Sequence, residues 1–131
     1  MLKTKNIKQG LMIKATPHEI YEALMDSKKH AQFTGAPAKI SQKVGGSFTA
    51  HGNYISGKNL ELVKDKKIVQ LWRGSTWPKG HFSTVTFLLK PTKGGTKLMF
   101  SHKGIPVREV KNITSGWKTY YWHPLKLILE K

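Results

Sequence analysis

Six histidines, His18, His30, His51, His81, His102 and His123, are the side chains of this sequence best suited to proton transfer or metal binding near neutral pH. No two stand at the i, i+4 spacing of a helical zinc pair, and no cysteine or ligand-spaced acid accompanies them. They read as polar residues at the surface or partly buried, and no metal site is expected. Paired carboxylates for acid–base catalysis fare no better. Glu19, Glu22 and Asp26 share one short segment, and Glu61, Asp65, Glu109 and Glu130 are scattered among lysines. A serine nucleophile of the G-x-S-x-G type is missing. Lys93-Gly94-Gly95-Thr96-Lys97 lacks the phosphate-loop frame and joins two strand-like segments where a phosphate loop requires a following helix. With no cysteine there is no thiol nucleophile, thiolate metal site or disulfide, and a cytoplasmic setting is the default. No catalytic residue and no cofactor is expected, which leaves binding as the mode of action.

The residues suited to binding are aromatic. Trp72, Trp77, Trp117 and Trp122 are supported by Tyr54, Tyr120 and Tyr121. Indole combines a large apolar area with one donor that seeks a partner, so such a set builds either a contact patch or a core. Trp117 falls in a helical stripe and reads as core or cavity wall. Trp77, in the loop between Gly74 and Gly80, has no strand around it and reads either as a contact residue or as a cap on the core.

Charge points to the kind of partner. The formal net charge is +16, from 23 basic and 7 acidic residues, and only Arg73 and Arg108 are arginines. A broad lysine field attracts acidic partners and speeds their encounter. Specific nucleic-acid binding is not expected, because lysines here lack interleaved arginines and stacking aromatics. Residues 1–14 carry Lys3, Lys5, Lys8 and Lys14 and so lack the apolar core of a signal peptide, and no stretch reaches membrane-spanning length.

The elements that must position these residues follow from periodicity. Residues 1–131 fit one domain. A first strand is expected over residues 5–14. Thr16-Pro17-His18-Glu19 then forms a capping box that starts a helix at Pro17, with Ile20, Leu24 and Tyr21 inward. Ser27 is expected to cap a second short helix carrying Ala31 and Phe33. Beyond Gly35, short β-branched and aromatic runs punctuated by glycine predict an antiparallel meander. The clearest hairpin runs from Phe82 to Leu89, turns at Lys93-Gly94-Gly95 and returns through Leu98 to His102. Asp65-Lys66 turns into a strand from Lys67 to Arg73, and Gly57 is read as a bulge or bend. After Pro106, Val110, Ile113, Trp117, Tyr121 and Leu125 or Ile128 recur at helical spacing. Pro124 should kink that helix near Tyr120 to Trp122. A curved antiparallel sheet around one long C-terminal helix, with two short helices after the first strand, is the α+β arrangement that buries this stripe.

The ordered pieces Gly45-Gly46-Ser47-Phe48, Trp72-Arg73, Trp77-Pro78-x-Gly80-His81-Phe82-Ser83, Lys103-Gly104-Ile105-Pro106 and Gly116-Trp117-x-x-Tyr120-Tyr121 resemble the C-terminal domain of the activator of the heat-shock protein 90 ATPase, over about residues 12–131. The resemblance implies a helix-grip fold shared with START and birch-pollen-allergen-like domains. It also implies a co-chaperone role in a stress response: binding the chaperone and favouring its closed, ATPase-competent state. Full-length members carry a further N-terminal domain with a tryptophan- and asparagine-rich motif, and this sequence has no counterpart to it. In this light Trp72, Arg73, Trp77, Pro78, Lys79, His81 and Ser83 are the expected partner-binding residues. The alternative is a carrier or sensor of a hydrophobic small molecule or lipid, with a cavity lined by Phe33, Phe48, Trp72, Trp117 and Tyr121.

Overall fold

The computed structural model describes residues 2–130. Seven strands form one antiparallel sheet in the order β1-β7-β6-β5-β4-β3-β2. They are β1 (Thr4–Ile13), β2 (Lys39–Ile40), β3 (Ser47–Ala50), β4 (Ile55–Val63), β5 (Lys67–Gly74), β6 (Ser83–Thr92) and β7 (Gly95–Pro106). From β2 to β7 the chain is a meander, as the punctuated pattern predicted. The first strand then pairs with the last, Leu11 opposite Leu98 and Lys8 opposite Ser101. Two helices, α1 (Pro17–Met25) and α2 (Ser27–Thr34), carry the chain from one edge of the sheet to the other.

The capping box at α1 is present in full: Thr16 Oγ1 accepts from the Glu19 amide at 3.1 Å, and Glu19 accepts from the Thr16 amide at 3.0 Å. At α2 the expectation is corrected. Asp26, and not Ser27, caps the helix, its carboxylate accepting from the Lys29 amide at 2.9 Å. A charged acceptor makes the stronger cap. Ser27 instead accepts from the Ile40 amide at 2.8 Å and ties α2 to β2.

Gly57 is corrected too. The register slips between Asn59 and Glu61, so the bulge lies there. Gly57 serves close approach: a β-carbon on it would collide with the Leu71 carbonyl and the Phe48 ring.

The C-terminal helical run covers residues 107–129: a 3-10 turn (Val107–Glu109), α3 (Val110–Gly116), a π-helical segment (Trp117–Trp122) and α4 (His123–Leu129). The break predicted at 120–122 is therefore a π segment. Pro124 has no N–H to donate, and the His123 N–H reaches back five residues to the Lys118 carbonyl. The extra residue in this turn places both Tyr121 and Trp122 inside. A strict 3.6-residue stripe would have left Trp122 out. Its indole N–H donates to Gln9 of β1 at 2.6 Å, while Trp117 and Leu125 complete the buried stripe. Alternate residues of the sheet, among them Val85, Phe87, Leu98 and Phe100, pack against it. This helix gripped by the concave sheet face is the helix-grip fold.

Candidate functional site

The segment from Trp72 to Ser83 was expected to meet a partner, and its structure divides it. Arg73 donates from Nη2 to the carbonyls of Trp77 and Pro78 at 2.8 and 3.2 Å, and from Nε to that of His81 at 3.3 Å. The His81 Nε2–H donates to the Gly104 carbonyl at 2.8 Å and anchors the loop to β7. These bonds fold residues 75–82 back over the end of the sheet, turning Trp77 inward against Trp72 with ring centroids 5.6 Å apart. Gly74 is needed there, because a β-carbon would sit 2.8 Å from the Trp77 indole nitrogen.

Trp77 is only 4% exposed, so it caps the core and cannot itself touch a partner in this conformation. Trp72 and Ser83 are likewise buried. Pro78 and Lys79 are exposed, whereas Arg73 and His81 are half-buried and committed to the loop's own carbonyls. The sequence could not separate these roles, since a loop tryptophan carries no periodic signal for which way it turns.

Two histidines expected at or near the surface are fully inside. His102 has no exposed surface. Its Nδ1 accepts from the Trp117 indole N–H at 3.1 Å, so its Nε2 carries the proton and donates to Ser83 Oγ at 2.7 Å. Ser83 in turn donates to the Trp72 carbonyl at 2.9 Å. A serine and a histidine thus stand in the spacing of a nucleophile and its base, but the proton directions are reversed. The histidine donates where a base must accept, and both groups are sealed from solvent. Burial pushes the His102 pKa down to about 3.

His30, also buried, belongs to a second chain. Its Nε2 lies 3.0 Å from Tyr121 Oη, which lies 3.2 Å from His51 Nε2. One tyrosine hydroxyl can donate to one ring and accept from the other. His30 Nδ1 has no partner among the described residues. An unpaired N–H costs more than an unpaired lone pair, so the favoured arrangement has His30 Nε2–H donating to Tyr121 and Tyr121 donating to His51. Burial, and secondarily the neighbouring His51, pushes His30 down to about 4; burial lowers His51 as well and raises Tyr121. His51 is held there by a turn in which His51, Gly52 and Asn53 all have positive φ, at 52°, 66° and 84°. Gly suits that region, Asn and His are among the non-glycine residues that enter it most readily, and the ring's bond to Tyr121 holds His51 in place.

Four of the five expected cavity residues do come together. Phe48, Trp72, Trp117 and Tyr121 line a narrow void of about 20 Å³ beneath the helix. Phe33 stands behind it, its ring edge-on to Tyr121 at 5.6 Å. The void has room for about one water and no more. The larger opening is elsewhere. A groove of about 420 Å³ runs between α3, the π segment and the His51–Ile55 turn, lined by His51, Tyr54, Asn112, Ile113 and Tyr120, and floored by Trp72, Trp117 and Tyr121. Sequence reasoning placed only those last three in a cavity. Tyr54 and Tyr120 were visible as aromatics, but nothing in their spacing shows that they share one opening.

The sequence model described as "Activator of Hsp90 ATPase homolog 1-like protein" matches residues 14–130, nearly the whole of this chain. The chain belongs to this family. Among curated members of the activator of Hsp90 ATPase family, the human "Activator of 90 kDa heat shock protein ATPase homolog 1" is 35% identical over 111 residues, which is 85% of this chain and 33% of the human protein. The chain therefore spans about a third of that relative's length. Among solved structures, "PFC0360w, an HSP90 activator from plasmodium falciparum" superposes with a TM-score of 0.88 at 26% identity, covering 94% of each chain. The Aha1 dimer from Colwellia psychrerythraea shares the fold, with a TM-score of 0.83 at 21% identity over 96% of each chain. As an activator-family domain, the chain has relatives whose names describe regulation of another protein's ATPase. No helix among the described residues is long and apolar enough to cross a membrane.

Proposed function

We propose that this domain binds the heat-shock protein 90 chaperone and favours its closed, hydrolysis-competent state, in a cytoplasmic setting and without catalysis of its own. The observation that carries the reading is the match to the Plasmodium activator, which covers 94% of each chain. The action is a shift of population. The domain must bind closed chaperone more tightly than open, and a tenfold difference is worth about 1.4 kcal/mol. The exposed Pro78 and Lys79 are the members of the Trp72–Ser83 segment that reach the partner, with Arg73 and His81 holding the loop in shape and Trp72, Trp77 and Ser83 supporting it from within. Titration of the domain into the chaperone should raise its ATPase rate and shift its NMR spectrum. Absence of both effects refutes the reading.

A second reading rests on the groove. Its roughly 420 Å³ falls in the range of small-molecule sites, and its walls are aromatic with a few polar groups. A hydrophobic small molecule would lie there, since the space under the helix is filled. If native mass spectrometry shows no co-purified molecule and tryptophan fluorescence shows no binding of fatty acids or planar aromatic probes, the carrier reading is lost.

A further inference from the structure

All the helices pack on one face of the sheet, and the strand register fixes what the opposite, convex face displays. Gly10, Met99, Leu88 and Lys67 lie abreast across β1, β7, β6 and β5. Beside them run Lys8, Ser101, Thr86 and Val69. Met12, Lys97 and Lys90 form the row on one side, and Lys103, Thr84, Leu71 and Lys58 the row on the other. Buried neighbours such as Leu98, Phe100, Val85 and Ile68 alternate with these residues, which confirms that they point away from the core.

The middle of this face is therefore methionine, leucine, valine and hydroxyl groups, with Met99 38% exposed. Its surround is Lys8, Lys58, Lys67, Lys90, Lys97 and Lys103. The one acid of these rows, Glu61 opposite Val69, is matched by Lys67 at 3.2 Å. The other five lysines have no ion pair among the described residues. Of the six remaining acids, Glu19, Glu22 and Asp26 lie on or just after α1, Glu109 and Glu130 on or just after the C-terminal run, and Asp65, in the turn before β5, pairs with His18 of α1 at 3.0 Å, so the helical side holds most of the negative charge.

We infer that this convex face is a docking surface for an acidic protein surface. Apolar and hydroxyl groups at the centre with charge at the rim is the layout of a protein interface, and unpaired lysines supply complementarity to carboxylates. A second copy of this chain is a poor occupant, because both copies carry +16. A bilayer is disfavoured by the lack of inserting aromatics on the rows, and nucleic acid by the lack of stacking groups there. Four rows of five strands span roughly 20 by 20 Å, about half the area each partner contributes to a standard interface. The contact is therefore weak, fast and salt-sensitive. The inference goes beyond the chaperone reading, since it commits only to an acidic protein surface; under that reading the surface is the chaperone's.

The test is amide NMR of the full chain titrated with poly-L-glutamate and, separately, with the chaperone. Shifts should concentrate on β6 and β7 between Lys90 and Lys103. The triple variant Lys8→Glu/Lys97→Glu/Lys103→Glu should weaken poly-L-glutamate binding roughly tenfold or more at an unchanged melting temperature. Lys28→Glu/Lys111→Glu/Lys118→Glu, with the same change in charge on the helical side, should leave it within about twofold. Shifts centred on the C-terminal helix, or equal weakening in both variants, overturn the inference. Tighter binding to phosphatidylserine vesicles or to a single-stranded oligonucleotide at the same salt overturns the assignment to protein. Poly-L-glutamate mapping to this face with no chaperone binding would retire the chaperone reading and leave this one standing.

Discussion

The Trp117 indole N–H donates to His102 Nδ1 across the interface of helix and sheet, at 3.1 Å and out of reach of solvent. The bond exists only while His102 is neutral. Folding lowers the pKa of His102 from 6.5 to about 3 and that of His30 to about 4, so between these values and 6.5 the unfolded chain binds more protons than the folded one. Stability from these two rings is therefore complete above pH 6.5 and drains away as pH falls toward 3. Urea midpoints measured from pH 7 to pH 4 should fall steadily, and His102→Gln should flatten part of that slope.

Tyr121→Phe removes the hydroxyl that joins His30 to His51. His30 would then be buried with neither ring nitrogen bonded, a loss of about 1–3 kcal/mol. Denaturant unfolding would report it. Proton NMR should also show an altered His51 titration, which a loss confined to packing would leave in place.

Trp77→Ala and Lys79→Glu separate support from contact. Removing the buried indole should destabilise the fold by about 3 kcal/mol or more and weaken partner binding only in proportion to unfolding. Reversing the exposed charge should leave the melting temperature near that of the parent and weaken chaperone binding directly. Calorimetry beside binding isotherms distinguishes the two; the reverse pattern would show that the loop opens to expose Trp77.

Gly57→Ala tests the close approach of β4 to β5. The added methyl meets the Leu71 carbonyl, a backbone atom that cannot swing aside, so a loss of about 1–3 kcal/mol is expected. If circular-dichroism melting shows no change, the two strands are not as close as described.

Much of the fold was legible because it is written in short-range patterns. Thr16 and Glu19 mark the start of α1 within four residues, Lys93-Gly94-Gly95 turns one hairpin, and Pro124 announces a break in the last helix. Less was legible at the site. Trp72 and Trp77, five residues apart, carry the same side chain and fall in one expected partner-binding segment, with a cavity reading open for Trp72 and a core-cap reading open for Trp77. Trp72 is buried because the alternation of β5 turns it toward the core, and Trp77 because Arg73 folds the 75–82 loop back through three carbonyls.

The sequence by itself determined the order of elements, the basic charge and the family, since each rests on composition or on residues close along the chain. The tertiary structure alone decided the rest. It made His102 and His30 buried hydrogen-bonding centres, closed the space under the helix to about 20 Å³, and set the lysines of four strands side by side on one face. The physical reason is the same throughout. Whether a polar side chain is a surface group or a core one depends on partners such as Tyr121, 91 residues from His30, and such partners meet only when the sheet closes around the helix.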